Sequence, residues 1–343
     1  MSSENTTPSQ RVPAPLGCIV LAAYRPQREL FERQLRSIQA QTVSDFSCLV
    51  VADGGEEDVR EMLRSIVGDD ERFTVIGAAS RVGFYLNFER GLSAVPDTAQ
   101  WIALSDQDDY WQPEKLERML PHLQYASMVS AQARVVTYPG GEVRAATTGR
   151  VQPHADDIPI FNQFTGGMSV LRRDLLQLAL PFPQFDSPAQ VHDHWLAVCA
   201  SCQDGAVVIP DIVQDYVQHD QNVLGETSDN EFAMLQSWRN VKTRADAAQH
   251  AGGLRRSAVI ALSAYVVSAG WAQAMTVALV SRPLAGDTRL ERLQVLYGRR
   301  RSFWRSVTRL VGAVLRRRIP IRNAAVFVAG TAVRGFTPTD RRP

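Results

Sequence analysis

Trp101-Ile-Ala-Leu-Ser105-Asp-Gln-Asp-Asp109-Tyr-Trp-Gln-Pro113 sets three carboxylates within four positions, directly after a short apolar run. Residues 101–104 read as a buried strand, four apolar residues with no polar break. The run ends against Asp106, Asp108 and Asp109. Pro113 then sits where a first helical turn accepts it, and Leu116, Met119, Leu120 and Leu123 follow at helical spacing. The same unit occurs three times upstream. Residues 18–22 are an apolar run followed by Pro26 and the helical face Phe31, Leu35 and Ile38. Residues 46–51 precede Val59, Met62, Leu63 and Ile66, and residues 73–76 precede Phe84, Phe88 and Leu92. Four strand–helix alternations in the first third of the chain predict an α/β domain, a parallel sheet with helices on both faces. Ligands of such sheets bind beyond the carboxyl ends of the strands. That rule singles out Ala23-Tyr24-Arg25, Ala52-Asp53-Gly54-Gly55 and residues 105–109.

Carboxylates as dense as Asp106, Asp108 and Asp109 repel one another and are tolerated when solvated or when a cation neutralises them. Mg2+ or Mn2+ takes few protein carboxylates and completes its shell with water and phosphate oxygens. The plainer alternative is an acidic turn in which Asp109 caps the next helix.

Beyond residue 128 the pattern is less regular. Strands are expected at 128–133 and 207–209, and a helix at 193–202. Residues 226–343 read as mostly helical and increasingly basic, with a soft boundary near Gly225. Residues 1–15 are polar and read as a disordered lead, not a signal peptide. The 343-residue chain is 45% apolar and 21% charged with a net charge of +1, an ordinary globular balance. From Arg282 onward, however, there are fifteen Arg, no Lys and three acids. Arg299-Arg300-Arg301, Trp304, Leu310, Val314 and Arg316-Arg317-Arg318 mix cations with apolar residues, a pattern suited to an anionic membrane surface. A plain solvated Arg face is the competing reading. No nucleic-acid motif accompanies the charge, so no nucleic-acid partner is expected. Ala258–Val280 is long enough to span a membrane, but Ser263, Ser268, Gly270, Gln273 and Thr276 interrupt it and favour a buried or interfacial helix. Cys18, Cys48, Cys199 and Cys202 read as buried thiols, because the single Cys-x-x-Cys has no second pair to complete a zinc site.

The run from Leu104 to Leu116 closely resembles the Asp-x-Asp region of family 2 inverting glycosyltransferases, nearest their rhamnosyltransferase-like subgroup. Five further pieces resemble the family's segments in the same order: Ala22-Ala23-Tyr24, Ala52-Asp53-Gly54-Gly55, Arg81-Val-Gly83 with Asn87, Thr165-Gly166-Gly167-Met168, and His192-Asp193-His194-Trp195. Gln218-His219 with residues 222–225 closes the series. The resemblance spans residues 16–225.

The resemblance implies a GT-A nucleotide-diphospho-sugar transferase fold, a mainly parallel sheet flanked by helices, with the basic helical region as an extension. It implies a sugar moved from a nucleotide diphosphate, plausibly rhamnose from dTDP-rhamnose or a hexose from a UDP-sugar, to a hydroxyl of a growing, lipid-linked glycan at the cytoplasmic face of the cell membrane. On the donor side it points to Ala23, Tyr24, Asp53, Arg81, Asn87, Asp106 and Gln107. Asp108 would bind Mg2+ or Mn2+, with His219 as second ligand. Thr165, Gly166, Gly167, His192, Trp195 and Gln218 would face the acceptor or the diphosphate. Asp193 would be the base that inversion requires; its alternative is a helix cap. Trp195 packs either a sugar or the core, the core being the simpler reading. Ala52 and Gly55 stand where the family commonly has Asp and Ser, which leaves base selectivity open. A non-catalytic nucleotide-sugar or carbohydrate-binding subunit on the same scaffold is the competing reading of the whole.

Overall fold

The computed structural model describes residues 16–78, 80–219, 238–239, 242, 256–283, 288–299 and 301–331. The expected lead (1–15), the 222–225 segment, the boundary near Gly225 and Arg300 lie outside the described residues.

The four expected strands form as β1 (Gly17–Ala23), β2 (Phe46–Asp53), β3 (Phe73–Ala78) and β4 (Trp101–Ser105). All three pairings among them are parallel. Their apolar runs alternate between two cores, as a strand's two-residue period requires. In β1, Cys18 and Val20 join one cluster, while Ile19, Leu21 and Ala23 join the other. Helices α1 (Arg28–Gln39) and α2 (Glu56–Val67) cover one face through Phe31, Leu35, Ile38, Val59, Leu63 and Ile66. Helix α3 (Phe84–Ser93) covers the other through Tyr85, Phe88 and Leu92. The helical pattern after Pro113 is realised as the short α4 (Lys115–Met119) continued by a 3-10 turn, Leu120–Gln124.

The rest of the sheet departs from the expected parallel pattern. Five more strands follow: β5 (Tyr110–Trp111), β6 (Met128–Thr137), β7 (Val143–Ala145), β8 (Ser169–Arg172) and β9 (Ala206–Gln218). The order is β3-β2-β1-β4-β8-β6-β9-β5, with β7 on the side of β6. Strand β8 is antiparallel to both β4 and β6, and β5 is antiparallel to β9, so the sheet is mixed. Strand β9 extends well past the 207–209 read from sequence. Pro210 interrupts it on propensity grounds, and the β6–β9 register shifts there, Ser130 pairing Val208 and Gln132 pairing Ile212. Gln132 fills the irregularity, its amide nitrogen donating to Arg150 O at 2.9 Å and its amide oxygen accepting from Arg150 N at 2.9 Å.

After α5 (Leu176–Ala179), helix α6 (His192–Ser201) lies beneath the sheet. The long apolar segment is one continuous helix, α7 (Arg256–Ala264) running through a π turn, Tyr265–Ala269, into α8 (Gly270–Val280). By length and composition it can cross a membrane, yet 56% of its most apolar window is buried within the chain. Trp271, Ala272, Met275 and Leu279 join the α3–α6 core. His194 links the two parts: its Nε2 pairs with Ile158 O at 2.7 Å and its Nδ1 accepts from Trp271 Nε1 at 3.2 Å. Burial lowers the His194 pKa to about 4, so the ring is a neutral strut.

Helices α9 (Thr288–Tyr297), α10 (Phe303–Leu315) and α11 (Ile321–Thr331) complete the chain. Here the sequence reading of the arginines needs correction. Fully buried Asp157 accepts two bonds from Arg318, at 2.6 and 2.8 Å, and a third from Arg309. Arg289 donates to Ser201 O and Gln203 O, Arg301 to Gln273 Oε1, and Arg282 to Leu180 O and Pro181 O. Arg282, Arg289, Arg309 and Arg318 tie the helical region to the sheet domain, and Arg301 braces it internally. Leu310 likewise points inward, only 2% exposed.

Candidate active site

Parallel pairing aligns the carboxyl ends of three strands. Ala23 pairs with Ala52, Asp53 with Ala78 and Leu21 with Ser105, so Tyr24, the Gly54-Gly55 turn and Asp106 emerge on one edge. Gly54 and Gly55 take φ of 88° and 63°, a left-handed turn that a Cβ would strain. Ala23 is itself buried, leaving Tyr24 as the residue that reaches the opening.

Tyr24 is held from three sides. Gln107 Oε1 accepts its N–H at 2.7 Å, and Gln107 Nε2 donates to its carbonyl at 3.2 Å. The Arg81 guanidinium lies over its ring, 4.0 Å from the centroid. Arg81 is placed by Asp53, whose two oxygens accept from Val82 N at 2.6 Å and Gly83 N at 2.9 Å. Three residues expected on the donor side bond to backbone or to neighbouring side chains here. Asp53 is 2% exposed, and each of its oxygens accepts one bond from the 81–83 loop, which it anchors. Asn87 is buried, donating to Val51 O at 2.7 Å and accepting from Arg90 at 3.2 Å; it pins α3 to β2. Gln107 spends its side-chain amide on the Tyr24 backbone. All three hold the surroundings of Tyr24 and Arg81 in place.

The acidic run divides into three roles. Asp108 Oδ2 lies 2.9 Å from His219 Nε2, although 111 positions separate them. Asp109 is buried and turns inward, accepting from Gln214 Nε2 at 2.8 Å and Val217 N at 3.2 Å. It ties the run to β9 and is not a helix cap. Asp106 lies between them in character: burial, then the charges of Asp108 and Asp193, push its pKa up to about 7 against the pull of Lys115.

Beneath the cluster lies Lys115, which the sequence reading passed over as part of a helix start. It is fully buried. Its Nζ donates to Gly167 O and, at 2.6 Å, to Gln214 Oε1, and it sits 3.7 Å from the Trp111 ring centroid. Burial pulls its pKa down and pushes that of Asp109 up, while the two opposite charges counter both shifts. A Lys followed by Leu and Met at helical spacing gives no sign of burial. The signal available was its position four residues after Trp111, whose ring it covers.

The region expected to face the acceptor is built on two consecutive glycines. Asp193, in the first turn of α6, accepts from Gly166 N at 3.2 Å and from Asn162 Nδ2 at 3.0 Å. One residue on, a Cβ on Gly167 would stand 3.0 Å from Asp106 Oδ2 and 3.2 Å from Asp109 Oδ2. The Gly166-Gly167 step therefore spans the space between Asp193 and the acidic cluster. Thr165 is half-buried at the loop's start, its carbonyl accepting from Ser169 Oγ at 2.7 Å. Gln218 closes β9 beside His219, its carbonyl accepting from Tyr138 N at 2.8 Å. Two residues expected here belong elsewhere. Trp195 is 0% exposed and donates to Ala179 O at 2.8 Å, so it is core. His192 is buried with its ring stacked on Phe88, centroids 3.8 Å apart. It lies under Gly166, where a Cβ would come within 2.2 Å of its Nε2. Burial lowers its pKa to about 3.

Among the described residues no group of three or more His, Cys, Asp or Glu side chains could hold a metal ion. Asp108 and His219 offer a two-donor set, one oxygen and one nitrogen. Their 2.9 Å separation matches adjacent corners of an octahedron with metal–ligand bonds of about 2.1 Å, which lie roughly 3 Å apart. A hard divalent cation that keeps water and takes phosphate oxygens fits such a pair.

A mixed sheet with β1, β2 and β4 ending on one edge, helices on both faces and an acidic run after β4 defines the GT-A fold. Residues 18–178 match the family described as Glycosyl transferase family 2. The chain is 30% identical over 106 residues to the succinoglycan biosynthesis protein ExoW of Rhizobium meliloti, covering 29% of this chain and 31% of that protein. It is 29% identical over 112 residues to an uncharacterized glycosyltransferase of Nostoc sp., covering 32% and 34%. The matches thus span about a third of the length of these curated relatives. Among solved structures, S. aureus TarS 1–349 in complex with UDP-GlcNAc superposes with a TM-score of 0.51 at 12% identity, covering 93% of this chain and 91% of that one.

Proposed function

We propose that this chain is an inverting glycosyltransferase. It moves a hexose-type sugar from a nucleotide diphosphate to a hydroxyl of a growing cell-surface glycan. The observation that carries the reading is the meeting of Asp193 with the Asp106/Asp108 cluster across Gly166-Gly167. A base and an anion-handling centre on opposite sides of one narrow gap is the arrangement a single inverting displacement needs.

The Tyr24 ring supplies a stacking surface for the nucleotide base, and Arg81 over it supplies a cation for the phosphate-bearing side. Asp108 and His219 would hold Mg2+ or Mn2+. Bound there, the ion would offset the negative charge that the departing diphosphate acquires. Asp193 takes the proton from the acceptor hydroxyl as its oxygen attacks the anomeric carbon from the face opposite the diphosphate. The bonds from Gly166 N and Asn162 fix its direction. Sequence similarity to a succinoglycan biosynthesis protein supports a polysaccharide acceptor. The resemblance of residues 104–116 to rhamnosyltransferase-like enzymes makes dTDP-rhamnose the first donor to try, and UDP-hexoses the next.

The test is a nucleotide-sugar panel with Mn2+, scored by release of nucleotide diphosphate in the presence of acceptor. Asp193→Asn is expected to lower turnover by about 10²–10⁴-fold, the usual worth of a positioned base, with donor binding retained. Asp108→Ala is expected to abolish metal-dependent turnover in a folded protein. Wild-type turnover in either variant removes that residue's role, and a protein that binds donors but never turns them over is a binding subunit.

A further inference from the structure

We propose that α10 and the start of α11 dock the protein onto an anionic lipid surface, with Trp304 inserted at the headgroup boundary. Helix α10 carries two apolar faces. Ser306, Leu310 and Ala313 point into the chain and are buried. At about 100° per residue, Trp304, Val311 and Leu315 fall within roughly 40° of one another on the opposite side. They are 74%, 53% and 78% exposed, and Ile321, which opens α11, is 74% exposed. A surface helix ordinarily turns polar residues outward. Single exposed apolar residues are common, but an aligned set of this size marks a contact surface.

The rim identifies the partner. From Phe303 to Thr331 the chain has six arginines and neither Lys nor any acid. Arg309 and Arg318 are held by Asp157. Arg305, Arg316 and Arg317 are exposed around the apolar strip. An apolar centre with a purely cationic border matches acyl chains beneath anionic headgroups, and Trp is the side chain suited to that boundary. A second copy of this chain fits poorly, because a two-fold contact on this face sets arginine against arginine. Nucleic acid would leave the apolar centre uncovered. The surface shares no residue with Asp106, Asp108 or Asp193, so the inference does not depend on the catalytic reading.

The experiment uses the full chain with vesicles of phosphatidylcholine alone or mixed with phosphatidylglycerol. Co-sedimentation is expected with the mixed vesicles, weaker at high salt, and absent with phosphatidylcholine alone. Brominated lipid is expected to quench tryptophan emission in the wild type but not in Trp304→Phe. Trp304→Ser combined with Leu315→Ser is expected to cut partitioning at least tenfold while leaving Tm and nucleotide-diphosphate release unchanged. Equal sedimentation of wild type and the double variant overturns the proposal. So does a dimer in sedimentation equilibrium that the double variant dissolves, with no vesicle binding by the wild type.

Discussion

Replacing Lys115 with Met tests whether a buried cation organises the site. The substitution keeps an unbranched side chain over Trp111 and removes the ammonium donors. Two acceptors, Gly167 O and Gln214 Oε1, then lose their bonds in a region closed to water. Each buried unpaired acceptor costs about 1–3 kcal/mol, and the lost cation–π contact adds about 1 kcal/mol. Relief from desolvating a charge offsets part of this, leaving a net loss of about 3 kcal/mol. For a chain of this size that corresponds to a fall in Tm of roughly 4 °C. Catalysis is expected to suffer more than stability. Lys115 holds Gly167, which lies against Asp106, and Gln214, which holds Asp109, so its loss frees both sides of the gap at once. Turnover measured 20 °C below the variant's own Tm is expected to fall at least tenfold, with circular dichroism unchanged. Lys115→Arg is not expected to rescue, since a planar fork is longer than this closed site accommodates. A Lys115→Met protein with wild-type Tm and wild-type turnover would refute the reasoning.

Gly166→Ala is expected to lose about 2–3 kcal/mol in urea unfolding, an overpacking cost, because the new Cβ meets the His192 ring at 2.2 Å. In a His192→Ala background the same change is expected to cost under about 1 kcal/mol; additive losses would show that no clash exists. Asp70 is held down to about pKa 2, chiefly by its paired bonds from Arg72 and also by Gln39. A carboxylate depressed below its unfolded value of 3.8 stabilises the fold above that pH and loses its effect as pH falls through about 2. Asp70→Asn is thus expected to cost on the order of 1 kcal/mol at pH 7, allowing for solvent screening. Its unfolding curve should converge with the wild type's between about pH 4 and pH 2, and a gap independent of pH would exclude the ion pair as the cause.

Strands β1, β2 and β4 were legible as largely apolar runs buried on both faces, and edge strand β3 from Phe73, Val75 and Ile76 ahead of an amphipathic helix. In the second half of the sheet only the start of β6 and a short part of β9 were. Strand β8 is four residues long, β5 is two residues inside the acidic run, and β9 contains Pro210, so their assignment depends on long-range pairing that no local period encodes. The candidate site shows the same division. Asp108 and Asp193 stand out as residue types, but Asp53, Asn87 and Gln107 look identical in sequence whether they face a ligand or a backbone amide. Only partner geometry separates the two, and here all three bond to backbone groups of the chain. Lys115 escaped notice for the opposite reason, since a lysine in a helix ordinarily signals solvent. In the C-terminal region, charge count alone could not tell arginines that clamp Asp157 from those that face outward.

The Asp157 clamp ties two points 161 residues apart in the chain. During synthesis Asp157 leaves the ribosome long before Arg309 and Arg318 exist. A lone carboxylate at a site destined for full burial opposes early closure of the segment around it. The sheet domain therefore has a built-in reason to remain open on that flank until the last helices emerge, and nascent chains halted before residue 318 are expected clients for chaperones.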